Sequence, residues 1–283
     1  MNLPQALTIA VIQGATELFP VSSLGHAVIL PQLLHWNIDQ KAPDFLPFLV
    51  VLHLGTAAAL LLYFWRDWAG FIAAISGQGD QALVKGERKV FGYLITATIP
   101  AALFGFALEH LLQSFFGSPT LASIFLIING FVLFLGEKLR RLKQPKIQVK
   151  TPLAQIGWQK SLLIGSCQAL ALIPGISRSG STMVAGLIAG LSHEDAARFS
   201  FLLATPVILG AGVLEIPKLM HMGGGGLSPT VIIAGVVSGV TAFLSTTLLM
   251  RYFKQHELDA ALYPFAVYCW LAGICALAWL TLA

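Results

Sequence analysis

Charge is what this sequence has least of. Asp, Glu, Lys and Arg make up 11% of its 283 residues, against roughly 25% in a soluble domain. A water-soluble chain of this length has no way to hide a composition that is 56% hydrophobic, with a mean hydropathy of +0.78. A soluble globular class is therefore excluded, and the natural solvent for this surface is a bilayer. Cysteine is also sparse. Cys167, Cys269 and Cys275 are odd in number, lie inside apolar stretches, and show the spacing of neither a zinc site nor a disulfide framework. They read as small buried residues. The opening residues, Met1-Asn2-Leu3-Pro4-Gln5, lack a basic region and a small-residue cleavage site, so a removed signal peptide is not expected. The net charge of +4 is confined largely to short loops, and no nucleic-acid partner is expected.

Apolar runs are what is there. Six are long enough to span, a spanning helix needing about 20 apolar residues. They run roughly Phe48–Trp65, Phe91–Leu108, Leu121–Gly136, Phe199–Ile216, Val231–Phe253 and Leu262–Leu282. Two further runs, near 7–34 and 161–191, are each interrupted by a polar break. The first break is Pro20-Val21-Ser22-Ser23-Leu24-Gly25-His26, and the second runs from Pro174-Gly175-Ile176-Ser177-Arg178 to Ser179-Gly180-Ser181-Thr182. The arms beside each break are about 11 to 14 residues long, too short to span and suited to a re-entrant hairpin. Non-helical backbone at membrane depth survives only where protein buries it or water lines it. Both breaks are thus expected inside the bundle, facing a polar cavity.

The breaks also mark a repeat. Pro20 and Pro174 are 154 positions apart, as are Ser23 and Ser177, and Phe48 and Phe201 are 153 apart. The expected architecture is an all-α membrane domain spanning 1–283. It divides into a first repeat over 1–136, a basic cytoplasmic loop over 137–160 and a second repeat over 161–283, each repeat a hairpin plus three spans. Three spans between the hairpins make them enter from opposite faces, an inverted-topology repeat. The loops 66–90, 137–160, 192–198 and 251–261 hold 14 of the 17 Lys and Arg residues; Lys41 and Lys218 fall on the other side and Arg178 in a hairpin. Positive charge collects in cytoplasmic loops, which puts both termini outside. Eight full spans would also place both ends on one side, but would leave the Ser-Arg-Ser-Gly segment in lipid. The basic stretch from Glu137 to Lys150 reads as a topology determinant more than a lipid-binding patch. Gly223–Gly226 is expected to form a flexible outer loop.

Ionisable groups inside a membrane are costly and mark function by default. Gln13 and Glu17 are four apart, on one helical face, with Ser22, Ser23 and His26 following across Pro20. In the second break Arg178 lies between Ser177 and Ser179, with Gly175 and Gly180 around them. Arginine presents a permanently charged fork that matches phosphate oxygens. Serine hydroxyls, the N–H groups of a glycine-containing loop and a helix starting near Ser181 add donors. Ser22, Ser177, Arg178, Ser179 and Gly180 thus form a candidate phosphate cradle, unless Arg178 merely neutralises Glu17 and joins the hairpins. Glu17 is a candidate ligand for a divalent cation, Mg2+ or Ca2+, which take oxygen ligands. His26 and Ser23 are candidate nucleophiles, and His26 also a general acid or base.

The run Gln13-Gly14-Ala15-Thr16-Glu17-Leu18-Phe19-Pro20-Val21-Ser22-Ser23-Leu24-Gly25-His26 resembles the first signature of the bacterial undecaprenyl-diphosphatase family, associated with bacitracin resistance. Pro174-Gly175-Ile176-Ser177-Arg178-Ser179-Gly180 resembles its second. The resemblance covers essentially the whole chain. It implies six spanning helices with two re-entrant hairpins, and hydrolysis of undecaprenyl diphosphate to undecaprenyl phosphate and inorganic phosphate at the bacterial inner membrane. It also implies Glu17 with Gln13 as the metal-associated pair, Arg178 as phosphate clamp, and Ser23 and His26 as the catalytic groups. The attacking group is left open between Ser23, His26 and a water activated by His26.

Three positions depart from the pattern. Gln13 stands where some members have Glu, Tyr268-Cys269-Trp270 where some have Tyr-Arg, and His53 where some have Gln. His53 reads as polar lining rather than catalyst. Inverted repeats with broken helices also characterise transporters, so flipping of undecaprenyl phosphate stands as the alternative function. The acid-phosphatase-like lipid family is excluded, because the next His after Ser177-Arg178 is the distant His193. Glycine-bearing helix faces are compatible with a homo-oligomer.

Overall fold

The computed structural model describes residues 1–42, 44–78, 80–107, 117–143, 152–221, 228–256 and 260–282, and no strand occurs among them. Six helices are long and apolar enough to cross a membrane: α3 (Phe45–Tyr63), α5 (Gln81–Ala107), α6 (Pro119–Lys143), α9 (His193–His221), α10 (Pro229–Gln255) and α11 (Tyr263–Leu282). Each matches one expected span. Four shorter helices fill the two interrupted runs: α1 (Leu3–Thr16) with α2 (Ser23–Leu33), and α7 (Trp158–Ala169) with α8 (Arg178–Ile188). At 1.5 Å per residue the longest of these, with 14 residues, reaches about 21 Å, short of a hydrocarbon core of about 30 Å.

Two boundaries differ from the sequence reading, for one reason. α5 begins at Gln81 rather than Phe91, and α6 runs on to Lys143 through the start of the expected 137–160 loop. An apolar window detects only the lipid-facing part of a helix. Good helix formers such as Glu137, Lys138, Leu139 and Arg140 continue it beyond. The sequence reading also missed α4 (Trp65–Ser76), assigned to a loop. Phe71 and Ala74 face the core there while Ile72 and Ile75 are exposed, and the helix stops at Gly77, whose φ of 76° is left-handed. The Gly223–Gly226 loop and residues 144–150 of the basic stretch lie outside the described residues.

The interior and exterior are those of a membrane protein. Phe106 and Val213 are 77% and 74% exposed, whereas Gln13, Asn129, Ser200 and Ser238 are at most 1% exposed. The packing of the two halves is reciprocal. α1 packs on α10, the middle span of the second half, and α7 packs on α5, the middle span of the first. Each contact uses a glycine to bring backbones together. A Cβ on Gly14 would lie 2.3 Å from the Ser238 carbonyl oxygen, and one on Gly165 would lie 2.2 Å from that of Ala97. At the centre α3 packs on α9, and at the other side α6 packs on α11.

Candidate active site where the two breaks meet

Proline and serine shape both breaks. After Pro20, Ser22 adopts φ 66° and ψ 90°, a conformation costing of order 1–3 kcal/mol in a residue with a side chain. Its hydroxyl accepts the Gly25 N–H at 3.2 Å and so caps α2. Ser177 caps α8 in the same way, accepting the Gly180 N–H at 3.1 Å. The structural equivalents are therefore Ser22 with Ser177 and Ser23 with Arg178, one position out of step with the 154-residue spacing. The second break holds one more residue between proline and cap, which Gly175 accommodates at φ 102°. The tips touch: a Cβ on Gly25 would stand 3.1 Å from Gly175 Cα. Helix α8 accordingly starts at Arg178, not near Ser181, and the positive ends of α2 and α8 both open where the breaks meet.

The two charged residues of the breaks converge there. Arg178 Nη2 and Nε donate to Glu17 Oε1 at 3.1 and 3.3 Å, and its Nη1 donates to the Ser200 carbonyl at 3.1 Å. The Ser23 hydroxyl donates to Glu17 Oε2. His53 Nε2 lies 3.2 Å from the same oxygen, while its Nδ1 lies 2.7 Å from the Leu49 carbonyl. Both ring nitrogens thus face acceptors. Glu17 sits on the link after α1, outside the six spanning helices. Arg178, Ser23 and His53 together fix the orientation of its carboxylate.

These groups form the polar end of a cavity of about 280 Å3. Glu17, Ser22, Ser23, His53, Ser177 and Arg178 line that end; Leu46, Leu49, Val50, Leu172, Val207 and Ile208 line the walls. The cavity suits an anionic head joined to an apolar chain.

Several expected residues stand elsewhere. His26 does not line this cavity. Its Nδ1 lies 2.7 Å from the Ser22 carbonyl and its Nε2 2.8 Å from the Tyr268 hydroxyl, at the edge of a separate, largely apolar cavity of about 460 Å3. His26 is three residues from Ser23, but Ser23 turns to Glu17 whereas His26 turns to Tyr268. Gln13 is 1% exposed and its side-chain oxygen is taken up by the hydroxyls of Thr56 and Ser238, at 3.2 and 2.9 Å. Only its amide reaches Glu17, at 3.5 Å. In this arrangement Gln13 braces the Glu17 carboxylate from behind. Ser179 is fully buried and donates to the Phe19 carbonyl at 3.1 Å, and the Gly180 N–H is spent on the Ser177 cap. Both brace the breaks behind the cavity rather than facing it. Among the described residues no group of three His, Cys, Asp or Glu side chains could hold a metal.

Sequence reasoning missed Asn129. From α6, its Nδ2 donates to the Pro20 carbonyl and its Oδ1 accepts the Ser177 N–H, each at 2.9 Å. One carboxamide thereby ties the two breaks together. The available signal was a lone amide amid Ile127, Ile128 and Val132. Thr56 and Ser238, ordinary hydroxyls in apolar helices, carried no comparable signal.

Fold and site together define an integral membrane protein with a buried, anion-accepting pocket for an amphiphile. The chain belongs to the bacitracin resistance protein BacA family, whose model matches residues 6–275. It is 51% identical over 291 residues to an undecaprenyl-diphosphatase of Granulibacter bethesdensis, covering 100% of this chain and 98% of that protein. To that of Acidiphilium cryptum it is 53% identical, covering 96% of each. An undecaprenyl-diphosphatase of Mycolicibacterium paratuberculosis is 44% identical, covering 100% of this chain and 98% of that protein.

Proposed function

We propose that this protein hydrolyses undecaprenyl diphosphate to undecaprenyl phosphate and inorganic phosphate, recycling the lipid carrier for peptidoglycan synthesis. The observation that carries this reading is the convergence of Arg178 and Ser23 on Glu17 at the polar end of an apolar-walled cavity. Relatives aligned over nearly their whole length are named for the activity. Lipid flipping is not proposed, since those names favour the hydrolase.

The Ser23 hydroxyl already donates to Glu17, the relation of a nucleophile to its base. Ser23 Oγ attacks the terminal phosphorus, its proton passes to Glu17, the anhydride P–O bond breaks and undecaprenyl phosphate departs. Water then cleaves the phosphoserine, its hydroxyl going to the departing inorganic phosphate and its proton to Ser23 Oγ, and Glu17 releases its proton to solvent with the products. Arg178 and the starts of α2 and α8 offset charge on the phosphoryl oxygens, and such positioning and electrostatics dominate phosphoryl transfer. Ser23 is preferred to His26 as nucleophile because His26 faces the other cavity.

A divalent cation, Mg2+ or Ca2+, belongs to the proposal. Among the described residues Glu17 is the one carboxylate lining the cavity, and magnesium often binds through one or two carboxylates plus substrate phosphates. The cation would neutralise diphosphate charge. Chelation is expected to stop turnover without lowering the unfolding temperature of the purified protein.

The location proposed is the bacterial inner membrane. Both termini and the cavity face outward, and α1–α2 and α7–α8 act as re-entrant hairpins of a duplicated unit. Charge placement and reciprocal packing support this. Phosphate release from C55 diphosphate in detergent tests the activity, and trapping of phosphoserine tests the nucleophile. Release by the Ser23→Ala variant at the wild-type rate would overturn the mechanism.

A further inference from the structure

A second polar cavity, of about 550 Å3, lies at the start of α5 and is unrelated to Glu17. Lys85, Arg88 and Lys89 line it. Their spacing of three and four puts them on one face of the helix. Arg88 Nε donates to the Ala74 carbonyl at 2.5 Å, which fixes the guanidinium against the end of α4. Lys85 and Lys89 are exposed, and neither forms an ion pair among the described residues. Glu87 lies against Gly70, and Asp80 accepts the N–H groups of Ala82 and Leu83.

The opposite wall is Trp158, the first residue of α7. Its indole is wedged over Gly92 and meets the Tyr93 ring at 4.8 Å. The residue before it, Gly157, gives α7 no side-chain cap, so the first N–H groups of that helix lack the usual acceptor. Three cations on one face of α5, beside the start of α7, form an anion site.

The height of this cavity identifies the anion. Beyond Lys89, α5 turns apolar with Val90 and Phe91, and Ile72 and Ile75 of neighbouring α4 are exposed. The cations therefore sit where hydrocarbon gives way to head groups, and Trp158, 55% exposed, is a residue type enriched at that level. We propose that this cavity binds the phosphate head group of an anionic glycerophospholipid, held by Lys85, Arg88 and Lys89 with Trp158 against the glycerol backbone. The proposal does not depend on the hydrolase reading.

The test is native mass spectrometry of the purified protein in mixed micelles of equal phosphatidylglycerol and phosphatidylcholine. Wild type is expected to retain phosphatidylglycerol selectively, with millimolar inorganic phosphate failing to displace it. The double variant Lys85→Gln/Lys89→Gln is expected to bind it about thirtyfold more weakly, each basic residue near an anionic surface contributing about a fivefold factor. Its phosphate release from C55 diphosphate should be unchanged, which also verifies its fold. The single variant Lys89→Gln gives an intermediate loss and serves if the double variant unfolds. Equal retention of both lipids, equal retention by wild type and variant, or displacement by inorganic phosphate would each overturn the assignment.

Discussion

Glu17 and Glu137 are both buried carboxylates held by one arginine and one histidine, yet the surroundings give them different work. Glu137, on α6, accepts from Arg140 Nε at 2.8 Å, lies 2.8 Å from His193 Nε2, and accepts the Leu262 N–H at 3.3 Å. Its arginine is three residues away on the same helix, and both its oxygens are taken by groups that are themselves sealed in. Glu17 draws its arginine from the other half of the chain, 161 positions away, and opens on a cavity. Burial and charge are common to both. What separates them is the open volume beside Glu17 and the Ser23 hydroxyl on one of its oxygens, which under the proposed mechanism make one the reactive carboxylate and the other a clamp.

The comparison can be broken at several points. The largest effects are expected for Glu17→Ala and Arg178→Ala, each lowering phosphate release by about a thousandfold or more through lost charge stabilisation. Near-normal turnover in either folded variant would erase the distinction. Ser23→Ala is expected to lose about a hundredfold or more and to abolish any trapped phosphoserine. Glu137→Ala should act on stability instead. Leaving Arg140 and His193 without their anion costs about 3–5 kcal/mol, read as a fall in the unfolding temperature in detergent. Turnover per folded molecule should stay within a few-fold of wild type. The smallest effect is expected for His26→Ala, a change of less than about tenfold in turnover, because its ring faces Tyr268 and the separate cavity. A loss as deep as that of Ser23→Ala would return His26 to the catalytic group.

Much of this was legible in the sequence, for a physical reason. Lipid imposes a length of apolar helix and penalises charge, so six spans, two interrupted runs and the Glu17–Arg178 meeting stand out against an apolar background. What escaped depended on side-chain direction or on distant partners. His26 is three residues from Ser23, and only the packing around each, with Glu17 on one side and Tyr268 on the other, decides which cavity it enters. The role of Gln13 depended on Thr56 and Ser238, 43 and 225 positions away. The one-residue shift between the breaks came from the left-handed Gly175. Helix α4 was hidden because charge at Arg66 and Asp67 made a membrane-surface helix look like a loop.

The double grip of Asn129 also constrains motion. Because one rigid amide plane fastens Pro20 to Ser177, the two breaks are constrained to translate together, like jaws pinned on a common hinge. Any widening of the cavity between them must then come from displacement of the surrounding spans, with Glu17, Ser23 and Arg178 kept in register.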